Sequence, residues 1–420
     1  MKKLFLYALI LSLNFLGLSS QAQANKGRSP DYKTELLARA NGPNTYNLPT
    51  NSYIFNSSPS INPRGDVTFK VSYVLLAEDN SKDAVWAKTH DEPNGKIVYV
   101  NPTDKFISDP KITPSEILFN ISDEFSTNGI FSYNLKLKTT SSLFSPNVEQ
   151  NLINTSDAQV TSDGILHFKG QKDNREKTYY SLSGKNLIPI ISEGSTLFAG
   201  EKPISYLFSL HSNSSETLIF KTRQGDFGDL SESAPDKIIA LNTIPYRGVF
   251  KIIAEDQDSN INSSFLSLGN SASISSNGKC IVFSARVLND KKQPLDTIML
   301  YKNNEYTVIA NNTFREISEI ESFSPKVNSS CNVAFRAKDH NGRRSIFLFK
   351  DHKLQRIIGE NDQITTDLGE AYILEKAGYP GLSGNIDMND ANEIVFSALI
   401  SSDNTHTRSL GTGVFKLHPL

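Results

Sequence analysis

Val67-Thr68-Phe69 is the first of seven short apolar stretches that end in phenylalanine and decide the fold of this chain. The other six read ILF, LHF, LIF, IVF, VAF and IVF, and they end at Phe119, Phe168, Phe220, Phe283, Phe335 and Phe396. Successive phenylalanines are separated by 50, 49, 52, 63, 52 and 61 residues. A fixed period of this size indicates repeated supersecondary units, each of which buries its apolar face against its neighbours.

The sixth copy shows the inside of one repeat most clearly. A first strand is predicted within 328–337, and a polar turn follows at 339–342. Second and third strands are predicted at 345–349 and 354–358, and a weaker apolar segment precedes the next copy. Short strands joined by short polar turns predict a four-stranded antiparallel blade of a β-propeller.

The two ends of the chain predict how the blades close into a ring. The last copy has a first strand at 393–399 and a second at 413–417. Near the other end, 34–40 has the pattern of a third strand and 53–55 that of a fourth. We therefore predict a single all-β domain, a seven-bladed propeller over residues 25–420 whose N- and C-terminal strands share the last blade. An open solenoid or two separate sandwiches are the alternatives.

The first 24 residues have the features of an export signal. Lys2 and Lys3 precede an apolar run at 4–18, and Ala22-Gln23-Ala24 fits a small-residue cleavage site. We expect cleavage near Ala24 and a secreted or periplasmic protein. An N-terminal membrane anchor is the alternative, but the run is short for a span of about 20 apolar residues. No later apolar run is predicted to span a membrane, and a monomer is expected.

Composition and motifs exclude several classes of function. The formal net charge is −2, and no basic cluster follows the export signal, which argues against a nucleic-acid partner. The seven histidines lack metal-ligand spacing, and no nucleophile-elbow, phosphate-loop or dinucleotide-binding motif occurs. We therefore predict no metal and no cofactor. Catalytic residues assembled from several blades would leave no such motif, so they stay unknown.

A polar turn motif stands just before each phenylalanine strand, as in Asn62-Pro63-Arg64-Gly65 and Thr161-Ser162-Asp163-Gly164. Since it recurs in every copy, we interpret it as structural rather than catalytic. The pattern Asn-x-x-Gly-x-Val-x-Phe resembles the tandem NxxGxxAF repeats of bacterial secreted proteins, and is similar to the repeats of TolB-type, WD40-like propellers. Both resemblances imply a β-propeller. The first implies no established activity, and the second implies periplasmic protein–protein binding. Ser115, Glu216 and Cys331 depart from the glycine of the pattern.

Cys280 and Cys331 precede the phenylalanines of consecutive repeats. In an exported protein an even number of cysteines favours a disulfide, which here would join blades 5 and 6. Two buried free thiols are the alternative, because Cα atoms more than 7 Å apart could not be bridged.

Two further segments have an alternative chemical interpretation. Asp256–Asn262 begins like a calcium loop, but Ile261 and Ser267 occupy its diagnostic glycine and glutamate positions, so we interpret it as a solvated turn. His167 lies inside the LHF strand and is interpreted as a packed histidine rather than a ligand.

Two long loops are the candidates for ligand contacts, at 77–94 and 224–232. The first contains Trp86, which could stack on a sugar ring; alternatively it belongs to a second strand and packs between blades. From these features we expect a non-catalytic binding scaffold that recognises a protein partner or an envelope glycan through loops on one face. The alternative is a carbohydrate-active hydrolase or lyase with paired carboxylates at the channel mouth.

Overall fold

The structure is a computed structural model, and it describes residues 29, 31–41, 44–75, 80–123, 126–146, 151–161, 164–212, 217–231, 233–242, 249–375 and 380–420. The export signal predicted at 1–24 and Glu216 lie outside these residues. Within them the chain forms 33 β-strands and no helix. The strands make seven separate antiparallel sheets, one for each phenylalanine repeat.

Each sheet is a blade with an inner strand, a strand that carries the repeat phenylalanine (the Phe strand), a third strand and an outer strand. The N-terminal strand β1 spans Tyr32–Ala40. Blade 1 contains β2 (Ser52–Tyr53), β3 (Ser60–Ile61), β4 (Val67–Leu75), β5 (Asn80–Lys88) and β6 (Lys96–Val100). Blade 2 contains β7 (Phe106–Ile107), β8 (Lys111–Ile112), β9 (Glu116–Ser122), β10 (Thr127–Asn134) and β11 (Thr139–Phe144). Blade 3 contains β12 (Leu152–Val160), β13 (Leu166–Lys172), β14 (Lys177–Ser183) and β15 (Asn186–Ser192).

The remaining blades follow the same order. Blade 4 contains β16 (Ile204–Ser212), β17 (Thr217–Gln224), β18 (Asp236–Asn242) and β19 (Val249–Glu255). Blade 5 contains β20 (Phe265–Ile274), β21 (Cys280–Leu288), β22 (Pro294–Lys302) and β23 (Glu305–Asn311). Blade 6 contains β24 (Glu319–Ile320), β25 (Lys326–Val327), β26 (Val333–Lys338), β27 (Arg344–Lys350) and β28 (Lys353–Gly359). Blade 7 contains β29 (Gln363–Thr366), β30 (Gly369–Ile373), β31 (Leu382–Met388), β32 (Ile394–Ser401) and β33 (Ser409–Pro419).

The closing blade joins the two ends of the chain, which confirms the predicted fold. Strand β1 pairs with β33 from Tyr32 opposite Pro419 to Ala40 opposite Thr412, and so forms the outer strand of blade 7. One detail of the prediction was wrong. Residues 53–55 do not complete this blade, because β2 pairs with β4 and so belongs to blade 1. The segment predicted as the fourth strand of each repeat is instead the inner strand of the following blade. The reason is that the chain crosses from the outer strand of one blade to the inner strand of the next.

The repeat phenylalanines form the core of the blades, and each is no more than 1 % exposed. In five blades the residue paired with the phenylalanine on the third strand is also aromatic, and the centroids of the paired rings lie 4.6 to 5.9 Å apart. Such pairs add about 0.5–1.5 kcal/mol to the burial of their area. The pairs are Phe69–Trp86, Phe119–Phe131, Phe168–Tyr180, Phe335–Phe347 and Phe396–Phe415.

Cations placed directly after three of these phenylalanines connect neighbouring blades. Lys169 Nζ donates to the carbonyl of Phe208 at 3.1 Å, and Lys221 Nζ donates to that of Leu268 at 2.8 Å. Arg336 donates to the carbonyl of Gly384 at 2.6 Å. Each acceptor lies where the inner strand of the next blade is interrupted by a bulge. A bulge leaves carbonyl groups without ladder partners, and these cations satisfy them.

The recurring polar turns also hold neighbouring blades together. The side-chain amides of Asn62, Asn277, Asn328 and Asn389 each donate to a backbone carbonyl in the equivalent turn of the next blade, at 2.9 to 3.4 Å. The donation from Asn389 in blade 7 reaches Asn62 in blade 1, across the closure of the ring. These contacts support the interpretation of the turns as structural.

Candidate functional site

The antiparallel order of the strands divides the connections between two ends of the propeller. The turn face holds the turns from inner to Phe strands and from third to outer strands. The loop face holds the turns from Phe to third strands and the crossings between blades. The inner strands of neighbouring blades contact one another around a central channel.

One polar residue from every blade forms a layer in this channel, which we call the channel ring. Its members occupy one register position, because each pairs across the ladder with the residue that precedes the phenylalanine. In blade order the channel ring consists of Ser60, Lys111, Gln159, His211, Ser273, Lys326 and Asp387. All seven residues line one cavity of about 270 Å³, which extends to the turn face.

The basic side chains of the channel ring have neither hydrogen-bond nor ion-pair partners among the described residues. Lys111 and Lys326 are half-buried, and within the described residues neither ammonium group donates a hydrogen bond or forms an ion pair. The imidazole of His211, also half-buried, has no hydrogen-bond partner among the same residues. These three side chains come from blades 2, 4 and 6, and Gln159 and Ser273 stand between them. They place unused hydrogen-bond donors around one cavity.

The electrostatic environment of the ring disfavours positive charge. Burial, reinforced by the positive charge of Lys111, lowers the pKa of Lys326 to about 8, although Asp387 acts in the opposite direction. Burial and the charges of Lys326 and Lys111 hold the pKa of His211 well below its ordinary value, so this imidazole is neutral at pH 7. The two lysines therefore lie close enough to repel each other, and an anion in the cavity would relieve that repulsion.

The two carboxylates that line the cavity are occupied by contacts between blades. Asp387 accepts hydrogen bonds from the hydroxyl of Ser60 at 3.0 Å and the backbone N–H of Ile61 at 3.1 Å. At the turn face, Asp390 accepts from the backbone N–H of Ser329 at 2.7 Å and from its hydroxyl at 3.0 Å. Both aspartates thus join blade 7 to a neighbouring blade.

The loop face presents seven of the fifteen exposed large apolar side chains among the described residues. Ile261 is 82 % exposed and Phe106 is 65 % exposed. The turn face, by comparison, exposes Leu137, Val249 and, just after β33, Leu420. An accumulation of apolar side chains on one end of a rigid scaffold is typical of a contact surface. The loop-face set is Phe55, Phe106, Phe227, Leu230, Ile261, Phe314 and Leu368.

The long segments predicted to contain ligand contacts differ in what they expose. Trp86 lies in β5 with no exposed surface, packs against the ring of Phe69 at a tilt of 33°, and donates its indole N–H to the carbonyl of Asn47 at 2.9 Å. A ring without exposed surface cannot stack on a sugar, so this residue is part of the core. The other segment does project outward, since Phe227 and Leu230 are both more than half exposed.

The cysteines lie where the sequence predicted a connection between blades. The structure joins Cys280 and Cys331 by a disulfide with a Cα–Cα distance of 5.7 Å. This distance is in the range that a disulfide requires. Cys331 also adopts a left-handed backbone with φ of 63°, in the position where the repeat has glycine.

The two residues with alternative chemical interpretations are buried. Asp256 is 1 % exposed and accepts from the backbone N–H groups of Asp236 and Ser259 at 3.0 and 2.9 Å. His167 is fully buried, and neither ring nitrogen has a hydrogen-bond partner. Burial lowers the pKa of this imidazole to about 4. In the described ranges no cluster of three His, Cys, Asp or Glu residues is arranged to hold a metal ion.

The channel ring was missed by sequence reasoning, although a positional signal exists. Its members stand nine residues before the repeat phenylalanine in five blades, eight before it in blade 2 and ten before it in blade 5. The two exceptions reflect turns that are one residue shorter or longer.

Comparisons with known proteins support the fold and assign no family. No family model and no curated protein matches the chain. The β-propeller domain of the Trilobed protease from Pyrococcus furiosus matches with a TM-score of 0.55 and 12 % identity, over 86 % of this chain and 93 % of that one. That domain is described as having an open velcro topology, whereas here β1 and β33 close the ring.

Two peptidases contain a similar propeller. Pyrococcus horikoshii acylaminoacyl peptidase matches with a TM-score of 0.53 and 13 % identity, over 86 % of this chain and 52 % of the peptidase. A Mycobacterium tuberculosis puromycin-hydrolyzing peptidase matches with a TM-score of 0.52 and 9 % identity, over 84 % of this chain and 52 % of the peptidase. This chain therefore spans about half the length of these peptidases, and at such identity the likeness shows the fold alone. None of the described segments is a helix long and apolar enough to cross a bilayer.

Proposed function

We propose that this chain is an exported, non-catalytic binding scaffold that recognises a protein partner or an envelope glycan through its loop face. The observation that carries the proposal is the unequal distribution of exposed apolar side chains, seven on the loop face against three on the turn face. Burying such side chains against a partner is favourable by about 25 cal/mol per Å² of apolar surface. The export signal predicted at 1–24 supports a location of this surface in the envelope or outside the cell.

The hydrolase or lyase alternative has less support in the described part of the channel. A glycan hydrolase needs two carboxyl groups free to act on either side of one glycosidic bond. The two aspartates that line the cavity instead accept hydrogen bonds from Ser60, Ile61 and Ser329. These contacts favour a structural role for both carboxylates.

Co-sedimentation with isolated cell-envelope fractions tests the proposal. The triple variant Phe106→Ser, Phe227→Ser, Ile261→Ser removes exposed apolar side chains from three loops of this face, and we expect it to lose most of the binding. The matched control is Leu137→Ser, Val249→Ser on the turn face, which should bind like the unaltered protein. All five positions are exposed, so stability should change by no more than about 0.5 kcal/mol per substitution. Equal binding by the triple variant and the control would reject the loop face as the contact surface. Release of soluble sugar products would favour the enzyme.

A further inference from the structure

We propose that the channel ring is a binding site for a small oxyanion, a carboxylate or phosphate group, held by the ammonium groups of Lys111 and Lys326. This site lies inside the channel and opens on the turn face, so it is separate from the loop face and independent of the proposed function.

The first argument is a contrast between two sets of lysines in the same molecule. Lys169 and Lys221 each donate to a carbonyl of the next blade and pair with an aspartate at 2.8 and 2.7 Å. Lys111 and Lys326 have neither kind of contact in the part of the chain that the structure describes. Burying a cation without a partner costs free energy. A structural role therefore accounts for the first set of lysines and not for the second.

The second argument is the sum of charges in the channel ring. With His211 neutral, two lysines and one aspartate leave the channel ring itself a net charge of +1, and the second carboxylate of the cavity, Asp390, lies outside the ring at the turn face and is engaged by Ser329. Asp387 lies on the blade 7 side, next to Lys326 in the order of blades, and is already engaged by Ser60 and Ile61. Lys111 lies two blades away from Asp387, in blade 2, and forms no ion pair among the described residues. An oxyanion in the cavity would give this ammonium group the partner that it lacks.

The third argument concerns hydrogen-bond donors and space. A carboxylate or phosphate oxygen accepts from an ammonium group through charge-assisted hydrogen bonds, which are stronger than those between neutral groups. Gln159 and Ser273 add polar side chains between the cationic positions of the ring. The cavity of about 270 Å³ has room for a small anionic molecule and not for a folded partner.

Isothermal titration calorimetry of the purified protein tests the site directly. The titrants are sodium phosphate, sodium acetate, glucuronate and neutral glucose, at constant ionic strength and pH 7. The comparison of phosphate with acetate shows whether the site prefers a phosphate or a carboxylate group. Glucuronate and glucose share a sugar ring and differ by one carboxylate, so the comparison between them isolates the contribution of that group. We expect saturable binding of at least one anion and no heat from glucose.

Neutral variants of similar shape locate the binding. Lys111→Met and Lys326→Met should each weaken the affinity for the anion by at least about tenfold, because each removes a charge-assisted hydrogen bond. Lys185→Met, at an exposed turn on the same face, removes the same charge and should leave the affinity unchanged. Thermal unfolding gives an independent readout: since the two lysines repel each other, either ring variant should unfold at the same or a higher temperature than the unaltered protein.

Three results would overturn the proposal. The first is that the unaltered protein binds none of the anions at 10 mM, which is about the weakest useful affinity for a small ligand. The second is that the ring variants bind the anion as well as Lys185→Met does. The third is that the ring variants unfold at a lower temperature than the unaltered protein. If one ring variant fails to fold, the other decides the question, because the two lysines belong to different blades.

Discussion

His418 Nε2 lies 2.8 Å from Glu35 Oε2, so a side-chain contact as well as the strand ladder ties the last strand, β33, to the first strand, β1. The other ring nitrogen of His418 lies 2.9 Å from Glu393 Oε1 in the turn before β32. The hydrogen bond from His418 is the main cause that lowers the pKa of Glu35 to about 2. The bonds to Glu35 and then Glu393 raise the pKa of His418. The closing blade thus contains an imidazole between two carboxylates, which favour its protonated form.

This arrangement predicts that the closed ring weakens at alkaline pH. Because the pKa of His418 is raised on folding, its stabilisation is complete below the unfolded pKa of about 6.5 and is lost as pH rises through the folded pKa. We expect His418→Gln to lower the free energy of unfolding by about 1 kcal/mol at pH 6 and to have little effect at pH 9. Urea unfolding at both values measures this. His340→Gln, at an exposed turn, is the control. A loss that is equal at pH 6 and pH 9 would contradict the prediction.

The buried imidazole of His167 predicts the opposite pH dependence. Its pKa is about 4 in the folded protein and about 6.5 in the unfolded chain, so stability falls as pH drops through this window. His167→Leu removes the titration and two unpartnered nitrogens. It should stabilise the protein at every pH, with up to about 3 kcal/mol more at pH 4 than at pH 8. Thermal unfolding of the variant at both pH values gives the answer, and a gain of equal size at both would show that His167 does not titrate in this range.

Two lysines predict effects of opposite sign on stability. Lys221 is 1 % exposed and contacts Leu268, Asn270 and Asp236, so Lys221→Met should lower the free energy of unfolding by about 3 kcal/mol. Lys326→Met should leave it unchanged or raise it, because burial disfavours the charge of Lys326 more than Asp387 favours it, and its ammonium group has no described hydrogen-bond or ion-pair partner. Chemical denaturation of the two variants in parallel tests this difference. The same loss in both would mean that Lys326 is a structural residue.

The disulfide predicts a measurable link between blades 5 and 6. With a sequence separation of 51 from Cys280 to Cys331, a double serine variant should lose about 4 kcal/mol of stability in the chain-entropy model. Alkylation followed by mass spectrometry should find two thiols only after reduction. Two reactive thiols in the denatured, unreduced protein would show that the bond does not form.

The export signal predicts the start of the mature protein. N-terminal sequencing of protein recovered outside the cytoplasm should begin near Asn25. Replacing the small residue at the cleavage site, as in Ala24→Tyr, should leave the precursor uncut. A protein that keeps residues 1–24 in the extracytoplasmic fraction would instead support the membrane-anchor alternative.

The blades could be predicted from the sequence because one core position is occupied by phenylalanine in every repeat. Every copy fills the same core position, so the period of the pattern survives although the copies are degenerate. The closure was equally predictable, since the pattern of β1 matched the outer strand that the last copy lacked. Strand boundaries also agreed closely: the strands predicted at 345–349 and 354–358 are Arg344–Lys350 and Lys353–Gly359.

The channel ring could not be predicted in this way, because its members share a position and not a chemical type. Serine, lysine, glutamine, histidine and aspartate form no recurring letter pattern, and turns of unequal length displace the register in blades 2 and 5. Trp86 was ambiguous for another reason. The carbonyl of Asn47, which accepts the hydrogen bond from its indole, belongs to a segment 39 residues earlier in the chain. The residues around Trp86 contain no pattern that predicts this contact.

The register of the ring has a consequence for how this scaffold can change. The phenylalanine and the ring residue of one blade lie on adjacent strands, yet the first is always fixed by packing, whereas Lys111 and Lys326 in the ring have no partner among the described residues. A substitution at either lysine therefore alters the lining of the channel by one seventh and leaves the contact between Ser60 and Asp387 intact. The chemistry of the channel can change at these two positions without a change in the contacts that hold the blades together.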